Sequence, residues 1–336
     1  MKPPIYSALD FVTMRKGESH GQAIAHSVEL AKHVEELGYH RYWIPEHHGS
    51  ATVASASPAI LIGHFAAATQ TIRVGAGGVM LLNHPPLVIA EQYGTLESIY
   101  PGRIDLGLGR AAGSSGAKET ITKAALRRDP KITGDSFPEF LAELQQYLGP
   151  AQKDQEVEAS PGQDTNVPIF LLSSSGYSAQ LAGDLGLPFA FAAHISPQNL
   201  EAAVNIYRQH FRPSKMLDKP YVIIATFALA AETDEEAQKS FTSVQQLFLG
   251  AARNNLTKLA PPVESMDELW STEEKEAIMK RFEHAIVGGR ERVDCAIRSL
   301  IQKTGADELM FWCETYSYVD RLRSYALLAE TLASMA

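Results

Sequence analysis

The sequence predicts an α/β fold in which eight parallel strands and their following helices close into a (β/α)₈ barrel. About eight short apolar segments alternate with amphipathic segments along the chain, which is typical of a parallel sheet with helical crossovers. Glycine ends three of the predicted helices shortly before a strand, at Gly38, Gly186 and Gly305. Polar and glycine residues follow several strands, where a barrel of this class carries its functional residues.

In the first half of the chain, we predict four strands and three helices. Apolar residues between Gln22 and Leu37 recur at helical spacing, which favours an amphipathic helix there. Ser57-Pro58 begins a second helix by N-cap and first-turn chemistry, and Pro101-Gly102 ends a third. The predicted strands cover 5–12, 74–82, 104–108 and a segment that begins at Tyr42, and the predicted helices cover 22–37, 58–69 and 85–99.

In the second half, strands and helices continue to alternate around irregular stretches. Residues 113–134 are polar and without clear periodicity, and 150–166 are typical of a surface excursion. The segment 250–289 is longer than one connection and includes an extra charged helix near 272–285. We therefore predict a single domain over 1–336 with an insertion, 250–289, before the last strand. The remaining predicted strands cover 168–172, 189–192, 221–231 and 308–312, and the remaining predicted helices cover 137–148, 178–185, 197–211, 234–249 and 318–333.

The composition limits the partners and the compartment. The formal net charge is −9 and no basic run is present, which argues against nucleic acid or an anionic membrane as the main partner. Cys295 and Cys313 lie far apart, so neither a disulfide framework nor a zinc site is indicated. The N-terminus lacks the apolar core of a signal peptide, and no run is long enough to span a membrane. We expect a soluble protein of the reducing cytoplasm.

The stretch from Ile72 to Gly116 contains a predicted strand with an unusual number of glycines. Gly75, Gly77 and Gly78 fall inside this apolar strand, where glycine normally costs conformational entropy and side-chain packing. Three such residues suggest that a flat group approaches the backbone at this point. A bulge that closes the barrel without any ligand would explain the same glycines, so both interpretations stay open.

Residues with useful chemistry follow the ends of five predicted strands. In a barrel these positions share one rim, so we expect the side chains to meet there. They are His47 and His48 after the second strand, Asn83 and His84 after the third, Arg110 after the fourth, Ser173 to Gly176 after the fifth and His194 after the sixth.

The serine and glycine run after the fifth strand predicts a phosphate site. Small residues that lead into a helix expose several backbone N–H groups at the positive end of the helix dipole. Arg110, after the neighbouring strand, can add a bidentate charged contact to the same phosphate. A plain N-cap loop beside an ordinary surface arginine is the alternative, since capping by itself explains Ser178.

His47 is the candidate for acid–base catalysis or for a hydrogen bond to reacting oxygen, because a neutral imidazole can both give and take a proton near pH 7. A structural histidine is the alternative. Metal binding is disfavoured, because the adjacent side chains of His47 and His48 point in alternate directions and no H-E-x-x-H helix is present. The glycine-rich residues 107–113 fail as a dinucleotide fingerprint, because the third glycine is displaced and no helix follows directly.

Four blocks of this sequence resemble the bacterial luciferase-like flavin monooxygenases, and most closely the single-gene luciferase-like oxidoreductases of uncertain substrate. The blocks occur in the family's order, and the resemblance covers most of the chain. They are Glu46-His47-His48, VGAGGVMLLNHPP from Val74, AEQYGTLESIYPGRIDLGLGR from Ala90 and LLSSSGYSAQLAGDLGLPFAFAAH from Leu171.

The resemblance implies how a flavin would be held. Gly77-Gly78 match the place of a strand bulge with a non-proline cis peptide beneath the flavin ring. The sequence departs from the luciferases at Ser174, where they have glutamate, and at Gly109, where they have a reactive cysteine. The first change still allows phosphate binding, and the second leaves the behaviour toward substrate open. The positions that match the FMN phosphate site are Arg110, Ser174, Ser175, Gly176 and Ser178.

The resemblance also implies a function. The protein is expected to take up reduced FMN from a separate flavin reductase and to use dioxygen to transfer one oxygen atom to a small organic substrate. His47 would be its catalytic residue, and Asn83 and His84 are candidates for substrate contact. A deazaflavin- or NAD(P)H-linked flavin oxidoreductase and a non-catalytic flavin-binding protein are the alternatives. The family further implies a homodimer, for which the second and third helices could serve, and a mobile lid within 250–289.

Overall fold

The computed structural model describes residues 5–114, 118–153 and 155–335, and its strands form one closed parallel barrel. The strands are β1 Ile5–Leu9, β2 Arg41–Ile44, β3 Arg73–Met80, β4 Ile104–Gly109, β5 Ile169–Ser173, β6 Phe189–Ala192, β7 Val222–Ala230, β8 Ile286–Gly288 and β9 Glu308–Trp312. Strands β1 to β7 follow one another around the barrel, and β9 closes it by pairing with both β7 and β1. β8 pairs with the end of β7 and lies outside the closed ring. The predicted (β/α)₈ class is confirmed.

Helices connect the strands around the outside of the barrel. The predicted helices at 137–148 and 318–333 are confirmed at both ends. No helix in the described residues combines the length and the apolarity needed to cross a bilayer. The helices are α1 His20–Glu36, α2 Pro58–Ala68, α3 Pro86–Ile99, α4 Lys118–Ala125, α5 Phe137–Leu148, α6 Gly176–Asp184, α7 Leu200–His210, α8 Asp234–Ala252, α9 Thr272–Arg281, α10 Arg290–Thr304 and α11 Tyr318–Ala333.

Glycine ends the three helices at which the sequence predicted it. Gly38, Gly186 and Gly305 have φ angles of 78°, 62° and 55°. These values lie in the left-handed region, which a residue with a Cβ rarely adopts. Each glycine therefore lets the chain leave its helix and enter the next strand within a few residues.

Several segments differ from the predictions, among them α10, which lies outside the predicted helix ranges. The polar stretch 113–134 contains α4, which was missed because Thr122 is its one buried residue in the described chain, so no apolar stripe marks the helix. β8 was missed because three residues beside a glycine pair carry no strand pattern. β1 is shorter than predicted, because the Asp10 carboxylate accepts the N–H of Val12 at 2.9 Å and turns the chain there.

A buried ionic network fills the N-terminal end of the barrel. Arg41 donates to Asp105 Oδ2 at 2.7 Å and to Glu308 Oε1 at 2.8 Å, and Arg73 donates to Asp105 Oδ1 at 2.8 Å. Burial alone would lower the pKa of Arg41, but the two carboxylates outweigh burial and raise it. We call Arg41, Arg73, Asp105 and Glu308 the basal network. Its charges balance one another without any ligand.

The inserted segment 250–289 is attached to the loop that follows β1. Leu259 donates its N–H to Met14 O at 2.9 Å and accepts the N–H of Lys16 at 2.8 Å. The Lys258 ammonium donates to Glu18 O at 2.6 Å. The predicted helix near 272–285 is present as α9, although it ends at Arg281. The mobility of this segment stays a prediction. Any such motion would have to break these contacts or move the loop after β1 together with the segment.

Candidate functional site

A cavity of about 780 Å³ lies at the C-terminal ends of the barrel strands. Aromatic rings from separate strands and loops form much of its wall, among them Phe11, Phe191 and Trp312. Most of the residues that the sequence placed in a candidate site border this single cavity. They are His47, Gly77, Gly78, Arg110, Ser174, Ser175 and Ser178.

Gly77 and Gly78 interrupt the pairing of β3 with β4. The register shifts between Ala76 and Val79, and the Gly77-Gly78 peptide bond is cis. A Cβ on Gly78 would lie 2.7 Å from the carbonyl oxygen of Gly107, closer than a carbon atom can approach without a shift of the backbone. Because β4 leaves no room for a side chain, bare backbone borders the cavity at this point. A flat ligand can lie against such a surface.

The serine run leads from β5 directly into α6. The Ser173 hydroxyl accepts the N–H of Ser175 at 2.9 Å, which fixes the turn. α6 begins at Gly176, earlier than predicted, so Ser175 is the N-cap residue and Ser178 is buried in the first turn. Within the described part of the chain, no side-chain hydrogen bond caps α6. Capping therefore does not account for these serines, and an anion would find N–H groups without a side-chain cap.

Arg110 follows β4 and lies beside the start of α6. Its guanidinium carbon is 4.5 Å from the centre of the Tyr177 ring. Among residues 5–114, 118–153 and 155–335, no carboxylate forms an ion pair with Arg110. An arginine without an acidic partner on the wall of a cavity is available to an anionic ligand.

Arg128 is a further cation on the cavity wall, and no local pattern of residues marks it. It lies between α4 and α5, where its Nη2 donates to Ile132 O at 2.9 Å. Its Nε atom is buried and has no hydrogen-bond partner in the described residues. Burial lowers the pKa of Arg128. This side chain therefore retains a donor that a second anion contact could satisfy.

His47 and His194 both pack near the ring of Phe11. The ring centre of Phe11 is 5.4 Å from that of His47 and 6.0 Å from that of His194. Burial lowers the pKa of each imidazole to about 4, so both rings are neutral at pH 7. The His47 Nδ1 atom is buried without a partner in the described residues. A neutral ring with an unused polar atom favours hydrogen bonding over proton exchange near pH 7.

Asn83 and His84 turn toward Glu46. Glu46 Oε1 accepts hydrogen bonds from His48 Nε2 at 2.7 Å and from His84 Nε2 at 2.9 Å, and Asn83 Nδ2 lies 3.4 Å from the same oxygen. Burial alone would raise the pKa of Glu46, but these hydrogen bonds outweigh burial and lower it to about 2. We call Glu46, His48 and His84 the Glu46 cluster. Its three members and Asn83 are not among the described residues that border the cavity.

Several other residues of the cavity wall were missed by the sequence analysis. Phe11 and Trp312 follow or end β1 and β9, so the rule that strand ends carry the site could have found them. Phe248 and Arg281 come from α8 and the end of α9, and no local pattern marks them. Gly176 begins α6 beside the cavity and is not among the described residues that border it.

A ligand cavity at the C-terminal ends of the strands of a (β/α)₈ barrel is the architecture of a barrel enzyme. The model of the luciferase-like monooxygenase family matches residues 7–308 of this chain. The chain therefore belongs to the luciferase-like monooxygenase family, and its homologues support a monooxygenase class of enzyme.

Relatives of known sequence match this chain over almost its full length. YvbT of Bacillus subtilis (strain 168) is 47% identical over 330 residues, which cover 98% of this chain and 97% of the relative. A luciferase-like monooxygenase of Escherichia coli (strain K12) is 43% identical over 322 residues, which cover 96% and 95%. The N-acetyl-S-alkylcysteine monooxygenase of Bacillus subtilis (strain 168) is 30% identical over 332 residues, which cover 97% of each chain.

Solved structures share the fold. Apo-MsnO8 superposes with a TM-score of 0.87 at 32% identity, over 98% of each chain. The oxygenating constituent of 3,6-diketocamphane monooxygenase from Pseudomonas putida, in complex with FMN, has a TM-score of 0.72 at 17% identity over 98% of each chain. An F420-dependent secondary alcohol dehydrogenase has a TM-score of 0.67 at 12% identity over 99% of each chain. At these identities, the last two comparisons establish the fold.

Proposed function

We propose that this protein is a monooxygenase that uses reduced FMN and dioxygen to add one oxygen atom to a small organic substrate. The observation that carries the proposal is that one cavity joins the bare Gly77-Gly78 backbone to Arg110 and the serine run. A flat ring system with a phosphate tail needs both surfaces at once. Membership of the luciferase-like monooxygenase family supports the same conclusion.

The residues of the cavity fit FMN. Arg110, Ser174, Ser175, Gly176 and Ser178 would hold the phosphate, because charged and uncapped N–H donors meet there. Arg128, which also borders this cavity, would add a donor to the same anion. The Gly77-Gly78 backbone would support the ring, since a Cβ on Gly78 has no room in the strand.

FMN is preferred over a deazaflavin on chemical grounds. The fold holds FMN in the diketocamphane monooxygenase and F420 in the alcohol dehydrogenase, so the barrel by itself accepts either. Deazaflavins serve as hydride carriers, whereas flavins also react with dioxygen. The monooxygenase names of the relatives therefore favour FMN in this chain.

When bound, reduced FMN would supply two electrons, so that dioxygen and substrate give the oxygenated product, water and oxidised FMN. His47 would donate or accept one hydrogen bond at the reacting oxygen through the Nδ1 atom that has no partner in the described residues. Phe11, Phe191 and Trp312 would keep water from the reaction and give an organic substrate an apolar surface. Asn83 and His84, which lie behind the wall, would contact substrate only if the Glu46 cluster rearranged.

The proposal includes partners. A separate flavin reductase would supply the reduced cofactor. The chain would act as a single domain, since β9 pairs with β1 and joins the two ends of the chain in one barrel. A homodimer through α2 and α3 would cover apolar side chains that are exposed in the single chain, including Ile60 at 75% and Ile99 at 59% exposure. We also propose a cytoplasmic location, with which the two free cysteines, Cys295 and Cys313, are compatible.

The function can be tested with purified protein, a flavin reductase, NADH and FMN. An N-acetyl-S-alkylcysteine is a suitable first probe, because a relative is named for that substrate. With ¹⁸O₂, we expect one ¹⁸O atom in the product, and no product without oxygen or without the reductase. Turnover that persists under argon, or that requires reduced F420 in place of FMN, would replace the monooxygenase with a hydride-transferring enzyme.

A His47→Ala variant separates catalysis from passive flavin binding. If His47 makes a hydrogen bond to the reacting oxygen, turnover should fall by about 10²-fold, the low end of the effect of removing one such hydrogen bond. FMN affinity should stay within about threefold, because His47 lies apart from the predicted phosphate site. A matched His64→Ala variant, at an exposed position on α2, should behave as the wild type. Unchanged turnover in His47→Ala would favour a passive pocket or a different catalytic group.

A further inference from the structure

The Glu46 cluster brings three good metal ligands to one point. Glu46 follows β2 with His48, and His84 follows β3, so the cluster forms where these two strand ends meet. One Glu46 oxygen lies 2.7 Å from His48 Nε2 and 2.9 Å from His84 Nε2. All three ligand atoms lie within 4.8 Å of one another. The three ligands come from two separate strand ends, and none of them is among the described residues that border the cavity proposed for flavin.

Against the expectation from the sequence, which considered His47 and His48 together, we propose that Glu46, His48 and His84 bind one divalent transition-metal ion of zinc-like chemistry. Two imidazoles and one carboxylate are a common ligand set for Zn²⁺, and they leave a fourth position open. Metal–ligand bonds of about 2.0–2.2 Å place tetrahedral ligand atoms about 3.3 Å apart. The separations of 2.7 and 2.9 Å would need to widen by about 0.4–0.6 Å to reach this spacing.

The charge balance of the cluster also favours a cation. Glu46 has a side chain with 1% exposure, and in the described residues its ion-pair partners are His48 and His84, with no lysine or arginine. A divalent ion would take the place of the two donated protons. Each imidazole would then turn its Nε2 lone pair to the ion and carry its proton on Nδ1.

The surrounding backbone holds the three ligands in place. Glu46 Oε2 accepts the N–H of Met80 at 3.0 Å, the His48 N–H donates to Gly113 O at 2.8 Å, and the His84 N–H donates to Leu81 O at 3.1 Å. The Met80 contact orients the Glu46 carboxylate, and the two backbone bonds fix the chain positions from which His48 and His84 extend. The side chains of His48 and His84 are 17% and 28% exposed, which gives an ion a route from solvent.

Zinc binding to the untagged, metal-free full-length protein tests this proposal by isothermal titration calorimetry. We expect one Zn²⁺ per chain and a rise in melting temperature with added zinc. His84→Gln is the informative variant, because the glutamine amide can keep the hydrogen bond to Glu46 while the imidazole ligand is lost. It should fold as the wild type and bind zinc at least about tenfold more weakly. His64→Ala, outside the cluster, should retain wild-type affinity.

Cobalt gives a second measurement. Co²⁺ bound by two imidazoles and one carboxylate should show visible d–d absorption that is lost in His84→Gln and in His48→Ala. Binding of zinc by His84→Gln with wild-type affinity, or no saturable uptake by the wild type, would overturn the proposal and leave the Glu46 cluster as a hydrogen-bonded support. Both readouts are independent of FMN and of enzymatic turnover.

Discussion

Two arginines at opposite ends of the barrel, Arg41 and Arg110, differ in their partners, although the C-terminal end also carries a paired, buried arginine, Arg321, which contacts Asp10 and Glu314. At the N-terminal end, Arg41 donates to both Asp105 and Glu308 within the basal network. At the C-terminal end, Arg110 borders the cavity and has no ion pair with any residue that the structure describes. The same strands supply both ends, since β2 begins at Arg41 and the loop after it contains His47.

This difference separates charges that support the fold from charges that await a ligand. A buried ion that loses its partner is strongly destabilising, because its desolvation is no longer compensated. A half-exposed cation without a partner contributes little to folding, so its removal should be felt mainly by the ligand. Loss of Arg41 should therefore lower mainly stability, whereas loss of Arg110 should lower mainly cofactor affinity.

The largest expected effect is at the N-terminal end. Arg41→Leu leaves Asp105 and Glu308 buried without their main partner, and the free energy of unfolding should fall by about 3–5 kcal/mol. Urea denaturation monitored by circular dichroism measures this change. The control is Arg298→Leu, which breaks an exposed pair with Asp294 and should leave stability close to the wild type. A loss below about 1 kcal/mol in Arg41→Leu would show that the basal network is not needed for folding.

Arg110→Ala should weaken FMN binding and leave stability nearly unchanged, which is the reverse of the effect expected for Arg41→Leu. The free energy of unfolding should change by no more than about 0.5 kcal/mol, as at most surface positions. FMN affinity should fall by about 10- to 100-fold, the loss expected for charged hydrogen bonds of about 1.5–3 kcal/mol. Flavin fluorescence titration measures the affinity, and Arg290→Ala, at an exposed position on α10, is the matched control. Equal FMN affinity in both variants would remove Arg110 from the phosphate site.

Gly78→Ala should disturb the C-terminal end through packing. The added Cβ would meet the Gly107 carbonyl at 2.7 Å, and overpacking of this kind costs about 1–3 kcal/mol. FMN should also bind more weakly, because the backbone that would support the ring has to shift. Gly21→Ala on α1 is the control, since no atom lies within 4 Å of its added Cβ. Wild-type stability and FMN affinity in Gly78→Ala would contradict the proposed contact between strand and ring.

Local sequence patterns predicted the fold more completely than they predicted the residues of the cavity wall. Alternating strands and helices, glycine helix ends and the bounds of α5 and α11 were all readable from the sequence. α4 was not, because a polar, exposed helix has no apolar periodicity to detect. Arg128 follows that helix, so its place on the cavity wall was hidden as well. Arg110 and the serine run could be placed together because the ends of parallel strands share one rim.

The sequence by itself determined the order of the elements, the glycines that lack room for a side chain and the strand ends that carry polar residues. The tertiary structure decided which of these side chains meet. Adjacent side chains in an extended segment point in alternate directions, and His47 and His48 do so. His47 borders the cavity, whereas the His48 ring donates a hydrogen bond to Glu46. His84 reaches the same carboxylate from the next strand, 38 positions along the chain from Glu46. Contacts at that separation depend on the packing of β2 against β3, which no local pattern of residues encodes.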